Sequence, residues 1–321
     1  MQSTRLTLLE LARRQRLSPD AFAAMTRLAA SERPATTYPA TLRRGAQALA
    51  MLLMGLGVVF FIAANWKTRS PLPMFAGLEA LVLGACLGAA RLGRLRTPLA
   101  LLGFLATGAL LAFFGQYYQT GADPWQLFAI WSALLLPLAF ACRSDLLWTA
   151  WIVVAMTAVS TWLSVFHGGF DDQLHGPQMA AMVMALGLCA LLSRPLRRFT
   201  GAGDWSLNLA ILFAVILIAG CGVWGLFTGG PMVYLASLAA LACGATHLGQ
   251  GAGFDIRGLS MCALGIDALV IGGALKMISD TRSFEAILFF ISLVIIVALY
   301  ATATILLGLN RQHAAGGARH D

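Results

Sequence analysis

Charge is scarce in this sequence. Only 11% of its 321 residues are charged, where a soluble domain carries about 25%, so an ordinary water-soluble globular protein is excluded. Lysine is scarcer still. Lys67 and Lys276 are the only lysines among 22 basic residues, and this Arg-for-Lys skew is the usage of a GC-rich bacterial genome. Paired cysteines are missing: Cys86, Cys142, Cys189, Cys221, Cys243 and Cys262 stand singly in or at the ends of apolar runs, with no C-x-x-C spacing. That removes the common zinc and redox signatures and leaves small apolar packing residues. Also missing are a phosphate-cradling loop between strand and helix, a Ser or Cys nucleophile beside a base, and paired cytoplasmic carboxylates. The expectation is therefore no enzyme, no catalytic residue, no metal site and no cofactor. A secretory signal peptide is not expected either, because the first apolar run begins near Ala46, behind an Arg-rich stretch. The formal net charge of +8 does not point to nucleic acid, since the basic residues lie between apolar runs rather than in one patch interleaved with aromatics.

What is abundant is long apolar sequence. Ten segments, at 45–65, 72–91, 98–116, 125–142, 146–166, 178–193, 205–227, 231–248, 258–278 and 284–308, are long enough, or nearly so, for a hydrocarbon core about 30 Å thick. Those at 178–193 and 231–248 are the shortest. No backbone group can be left unpaired in lipid, so these segments must be helical. The expected fold is an all-α, polytopic integral membrane helix bundle of about ten transmembrane helices. Its expected divisions are a basic cytoplasmic helical hairpin at 1–44, a transmembrane domain at 45–308 and a short, disordered cytoplasmic tail at 309–321.

Arg and Lys in the loops orient such a chain. One side collects the eight arginines up to Arg44, then Arg91, Arg94, Arg96, Arg143, Arg194, Arg197, Arg198, Arg257, Arg311 and Arg319; the other has only Lys67, Arg69, Lys276 and Arg282. The bias places both termini in the cytoplasm, in a bacterial inner membrane. Ten spans would also allow two inverted halves, but the halves show no clear self-similarity.

The segment 1–44 reads as two short helices. Leu6, Leu8, Leu9, Leu11 and Leu17 share the first with Arg13, Arg14 and Arg16. The second starts at Ser18-Pro19-Asp20, an N-cap serine, a proline at the first helical position and an acid in the first turn. Phe22, Met25 and Leu28 follow at helical spacing, and the helix ends before Pro34. Such a hairpin can lie on the anionic lipid surface or serve as a docking platform for a cytoplasmic protein partner.

Few polar residues interrupt the spans. Gln116, Tyr117, Tyr118, Asp123 and Trp125 fall at the extracytoplasmic ends of the third and fourth segments, and Asn65 and Trp66 end the first segment on the same face. Together they could rim an outer vestibule. The plainer reading is an interfacial aromatic belt with a tight turn at Gly121-Ala122-Asp123-Pro124. Glu79 and Asp267 lie inside spans, about 12 Å from the outer end of the second segment and about 14 Å from the inner end of the ninth. An acid near the midplane costs about 3 kcal/mol on insertion scales and is a functional-site hypothesis by default. It can act as a proton or cation relay, or as hydrogen-bonded glue between helices. Lys276 is expected to snorkel to the outer interface, and His247, Asn208 and Gln47 to be interfacial. His167, Asp171, Asp172 and His175 share an outer loop but have no regular ligand spacing, so a solvated loop is expected there. Gly84-x-x-x-Gly88 and the group Gly220, Gly222 and Gly225 would permit close helix packing, although 33 glycines make such spacings common by chance.

The words VFFIAANW at 59–66 and FGQYYQTGADPWQLFAIWSALLLPLAF at 114–140, behind the N-terminal hairpin, carry a family resemblance. Over about residues 5–155 the chain resembles the bacterial inner-membrane proteins of domain-of-unknown-function family 2157, with Asn65, Trp66, Gln116, Tyr118, Gly121 and Trp131 matching the family words. The resemblance implies a multipass membrane protein without an established activity, so it carries over no functional residue.

Two functions fit these observations. One is a transporter or flippase with the outer vestibule above and Glu79 and Asp267 as midplane relay. The other is a non-transporting scaffold or sensor that recruits a partner through residues 1–44. In either case a cytoplasmic fluorescent reporter fused to the C terminus is expected to be bright, and a phosphatase active only outside the cytoplasm, fused there, silent. The opposite pair would mean an odd number of spans.

Overall fold

The computed structural model describes residues 18, 21, 37–65, 70–166, 176–250, 254–278 and 284–317, and among them it contains helices and no strand. The α-helices are α1 (Thr37–Asn65), α2 (Pro71–Arg91), α3 (Arg96–Tyr118), α4 (Pro124–Cys142), α5 (Asp145–Phe166), α6 (Gly176–Leu191), α7 (Arg197–Thr200), α8 (Asp204–Phe227), α9 (Pro231–Gly249), α10 (Ile256–Ile278) and α11 (Phe284–Gly317). Short 3₁₀ turns at Gly93–Leu95 and Arg194–Leu196 lead into α3 and α7.

Every apolar run of the sequence is found as helix. Eight stretches, in α2 to α5 and α8 to α11, are long and apolar enough to cross a membrane. A ninth candidate is the pair Gly176–Leu191 and Arg194–Thr200, which meet at a 48° bend. The expected tenth span is the shorter apolar stretch Gly45–Phe61 within α1. Among the described residues eight helices thus qualify, or nine with the bent pair, and the remaining expected run is the shorter stretch in α1.

α1 is continuous from Thr37 to Asn65, across the expected boundary at residue 44. α11 continues to Gly317, through most of the expected disordered tail. Of the hairpin itself, Ser18 and Ala21 are described: the Ala21 amide donates to Ser18 Oγ at 3.3 Å, the bond an N-cap serine makes to the third helical residue. The other residues up to 36 lie outside the described set.

Helix starts follow local chemistry. α2, α4 and α9 begin on Pro71, Pro124 and Pro231, where the missing amide costs nothing and the fixed φ suits the first turn. α3 and α4 end on Gln119 and Arg143 in the left-handed conformation, at φ 44° and 49°.

In the unit from Gly55 onward, α5 and α8 are central. α5 packs against α3, α4, α6 and α8, and α8 also against α6, α9 and α10. α2 lies chiefly on α3, and α11 on α10. Lipid tails are as apolar as leucine, so the hydrophobic effect gives little preference for one helix face over another. Close packing and interhelical hydrogen bonds must supply it. Small residues make the close packing possible. A Cβ at Gly222 of α8 would come 2.6 Å from Leu269 Cδ2 of α10 and 2.8 Å from Ser237 Cβ of α9, whereas one at Gly220 would meet nothing within 4 Å. Gly222→Leu is therefore expected to lower stability in detergent by about 1–3 kcal/mol, the usual cost of overpacking. Gly220→Leu is expected to leave the thermal midpoint close to that of the unmodified chain. Equal effects would refute the three-helix contact.

Candidate functional site

The end of the bundle formed by the N termini of α2 and α4 and the C termini of α3 and α5 is aromatic. Phe75, in the second turn of α2, meets Phe113, Tyr117 and Tyr118 of α3 at ring-centroid distances of 4.7, 6.0 and 6.1 Å. Tyr118 also packs against Phe114 at 4.7 Å. Gln116, Tyr117 and Tyr118 are exposed. The chain then turns through Gln119 and Gly121, both at positive φ. Asp123 takes the N-cap position of α4 without a side-chain cap bond, and its carbonyl accepts from the Gln126 amide at 3.0 Å. Residues 119–123 thus form the short link between α3 and α4.

The expected rim is brought together in part. Tyr117 and Tyr118 pack on Phe75, while Trp125 lies 6.3 Å from Phe166 of α5. Its indole Nε1 is buried without a hydrogen-bond partner. Trp66 and the Asn65 side chain lie outside the described residues, as does the loop carrying His167, Asp171, Asp172 and His175. Lys276 is exposed with its Nζ 5.4 Å from the centre of the Phe227 ring, a snorkelling position with an aromatic neighbour.

The two intramembrane acids are placed differently from each other. Met74, Leu78, Ala85 and Ala89 form the buried face of α2, and Glu79 is exposed outside that face. Asp267 is 7% exposed on α10. Its Oδ1 accepts from Thr302 Oγ1 of α11 at 2.9 Å, and its Oδ2 is buried without a hydrogen-bond partner. The main neighbour of α2 is α3, and those of α10 are α8, α9 and α11. The acids therefore sit among different helices.

The densest polar construction is at the Arg-rich end, around a residue the sequence did not single out. Asp145 opens α5, and its carboxylate accepts from the amides of Gly203 at 2.8 Å, Ser206 at 3.1 Å and Trp205 at 3.2 Å. It thereby caps α8 from another helix and satisfies amides that have no partner inside α8. A Cβ at Gly203 would collide with this carboxylate. Beside it Trp148, fully buried, donates from Nε1 to the Thr200 carbonyl at 2.6 Å. Arg143 donates to the Arg198 carbonyl, and Arg96 to that of Ala141. Deeper in the bundle, Trp131 and Trp151 donate to the carbonyls of Phe104 and Ser132 at 3.0 and 2.8 Å. The available signal was the pattern Gly201-Ala202-Gly203-Asp204 before an apolar run, a helix start with no Ser, Thr or Asn to cap it. Asn208, expected at the interface, is instead buried one turn into α8 with its Oδ1 unpaired. It faces the core because it shares the packed side of α8 with Ile211, Val215, Ile218 and Gly222, opposite the exposed Leu212, Ile216 and Trp224.

Residues 9–148 match the family described as a predicted membrane protein (DUF2157). The match covers the N-terminal segment and α1 to the start of α5, close to the span over which the sequence words showed the resemblance. No curated protein matches the chain, and no solved structure does.

The indole bonds give a direct contrast. Trp148→Phe leaves the buried Thr200 carbonyl without its donor and is expected to cost about 1–3 kcal/mol, read as a lower thermal midpoint in detergent. Trp125→Phe removes a donor that is already unpaired, and the midpoint should hold or rise. A large fall for Trp125→Phe would mean that its N–H has a partner.

Proposed function

We propose that this chain is a non-transporting membrane scaffold of the bacterial inner membrane. In this reading both termini are cytoplasmic, residues 1–44 recruit a protein partner, and the chain has no catalytic activity of its own. The observation that carries the reading is the hydrogen bond between Asp267 and Thr302. A transport relay needs its acids on one path, reached in turn by water or substrate. Asp267 instead joins α10 to a peripheral helix, and Glu79 lies outside the packed face of α2.

The geometry of α11 supports the same view. Leu288, Phe289, Ile296, Val297 and Tyr300 are all exposed, so the helix presents a broad apolar surface to lipid and rests on α10. A polar pair is a directional contact that fixes the rotation and depth of such a helix, where apolar packing alone would let it slide. Pairs of this kind contribute about 0.6 kcal/mol on average in a membrane, enough to choose one register over another.

The amide variant separates the two functions, because an amide can still accept from Thr302 but cannot carry a proton. Asp267→Asn is expected to keep expression, thermal midpoint and the phenotype of the intact gene in a deletion strain, and Glu79→Gln likewise. Deleting residues 2–40 is expected to leave membrane insertion intact and abolish that phenotype. A folded Asp267→Asn protein that fails to complement would overturn the scaffold reading in favour of proton or cation coupling.

A further inference from the structure

The link between α6 and α8 plays no part in the scaffold reading, yet it carries an exposed surface that is both aromatic and basic. The segment Arg194–Thr200 leaves the direction of α6 by 48°. It is held from inside by the buried Thr200 and by Trp148 on the Thr200 carbonyl. Exposed apolar side chains stand beside its arginines: Leu196 and Phe199 on this segment and Trp205 at the start of α8 are 37%, 57% and 74% exposed. Arg198 lies over the Phe199 ring, with Cζ 4.6 Å from the ring centroid.

The charges of this region do not cancel. Arg143, Arg194, Arg197, Arg198 and Arg257 face Asp145, Asp204 and Asp255, an excess of two positive charges. Arg194 pairs with Asp255 at 3.7 Å and Arg197 with Asp204. The Asp145 carboxylate is turned to backbone amides. Arg198 and Arg257 make no ion pair among the described residues.

We propose that this link is an interfacial foot that binds the headgroup of an anionic phospholipid, with the Arg198 guanidinium on the phosphate and Phe199 and Trp205 in the layer just below it. A guanidinium presents a planar fork of donors that matches phosphate oxygens. Tryptophan settles at headgroup level, its ring apolar and its N–H wet. A basic cluster beside a span draws anionic lipid toward it. The exposed aromatic side chains select a lipid over free phosphate, since an inorganic ion would leave them in water. The inference rests on the chain being a membrane protein and is independent of whether it is a scaffold.

The test uses the full chain in nanodiscs of phosphatidylcholine mixed with phosphatidylglycerol, with the lipids retained by the protein counted by native mass spectrometry after extraction. Phosphatidylglycerol is expected to be retained in preference. Arg198→Gln should weaken that preference about fivefold, the factor for one basic contact at an anionic surface. Arg198→Lys should keep most of it, and Phe199→Ala with Trp205→Ala should lower it for both lipids. Arg94→Gln, an exposed arginine at the same end of the bundle, should have no effect. Monodisperse elution of each variant shows that it is folded. The proposal is overturned if phosphatidylglycerol is not preferred, if Arg198→Gln leaves the preference unchanged, or if Arg94→Gln reduces it equally. It is also overturned if inorganic phosphate competes the lipid away, which would make this a site for a free anion.

Discussion

A backbone amide in hydrocarbon has no water to turn to, and the structure depends on that constraint. It forces each apolar run into a helix and makes the helix ends the points of weakness. Where an end is buried against another helix, a partner must come from outside. At the start of α8 that partner is Asp145, from the first position of α5. The same aspartate therefore ends one problem and begins another: it satisfies α8, and it fixes where the central helices α5 and α8 meet. Trp148, one turn further along α5, holds the preceding carbonyl at Thr200.

Seen from this end, the bundle is organised by polar contacts at its rim and small residues in its depth. Indole donors recur as fasteners, from Trp131 to α3, Trp151 to α4 and Trp148 to the residue ending α7. Each pairs a ring large enough to fill an interhelical gap with one N–H aimed at a carbonyl. Gly222 lets α9 and α10 approach α8 closely. Asp267 does for the last helix what the indoles do for the central ones, with a carboxylate in place of an N–H. Asp145, Asp267 and the three indoles are thus accounted for by joining one part of the bundle to another.

Much of the fold was legible in the sequence, because apolar length and the need to pair the backbone leave helix as the only solution. The break between α3 and α4 at Gly121 to Pro124 was readable because its chemistry is local. Other features depend on neighbours and were not. The sequence shows Glu79 and Asp267 as equivalent acids at similar depth, and only the packing of α2 and α10 separates an exposed one from a buried, bonded one. Asn208 looked interfacial from its distance to the helix end, and only the packing shows that it lies on the buried side of α8. Asp145 went unremarked in the sequence, because its role appears only where the fold brings Gly203 to Ser206 beside it. At Leu191 to Arg194 the run is short, and length alone does not show that the chain bends there.

The central claim is that Asp267 sits in a closed helix contact and not on a water path. Substituted-cysteine labelling tests it most directly. In a chain with its six native cysteines replaced, Thr302→Cys would be exposed to a small, membrane-impermeant thiol reagent from each side of sealed vesicles. The account predicts no labelling from either side, with a cysteine placed at exposed Gln116 as the reactive control. Rapid labelling of position 302 would place water against Asp267 and contradict it.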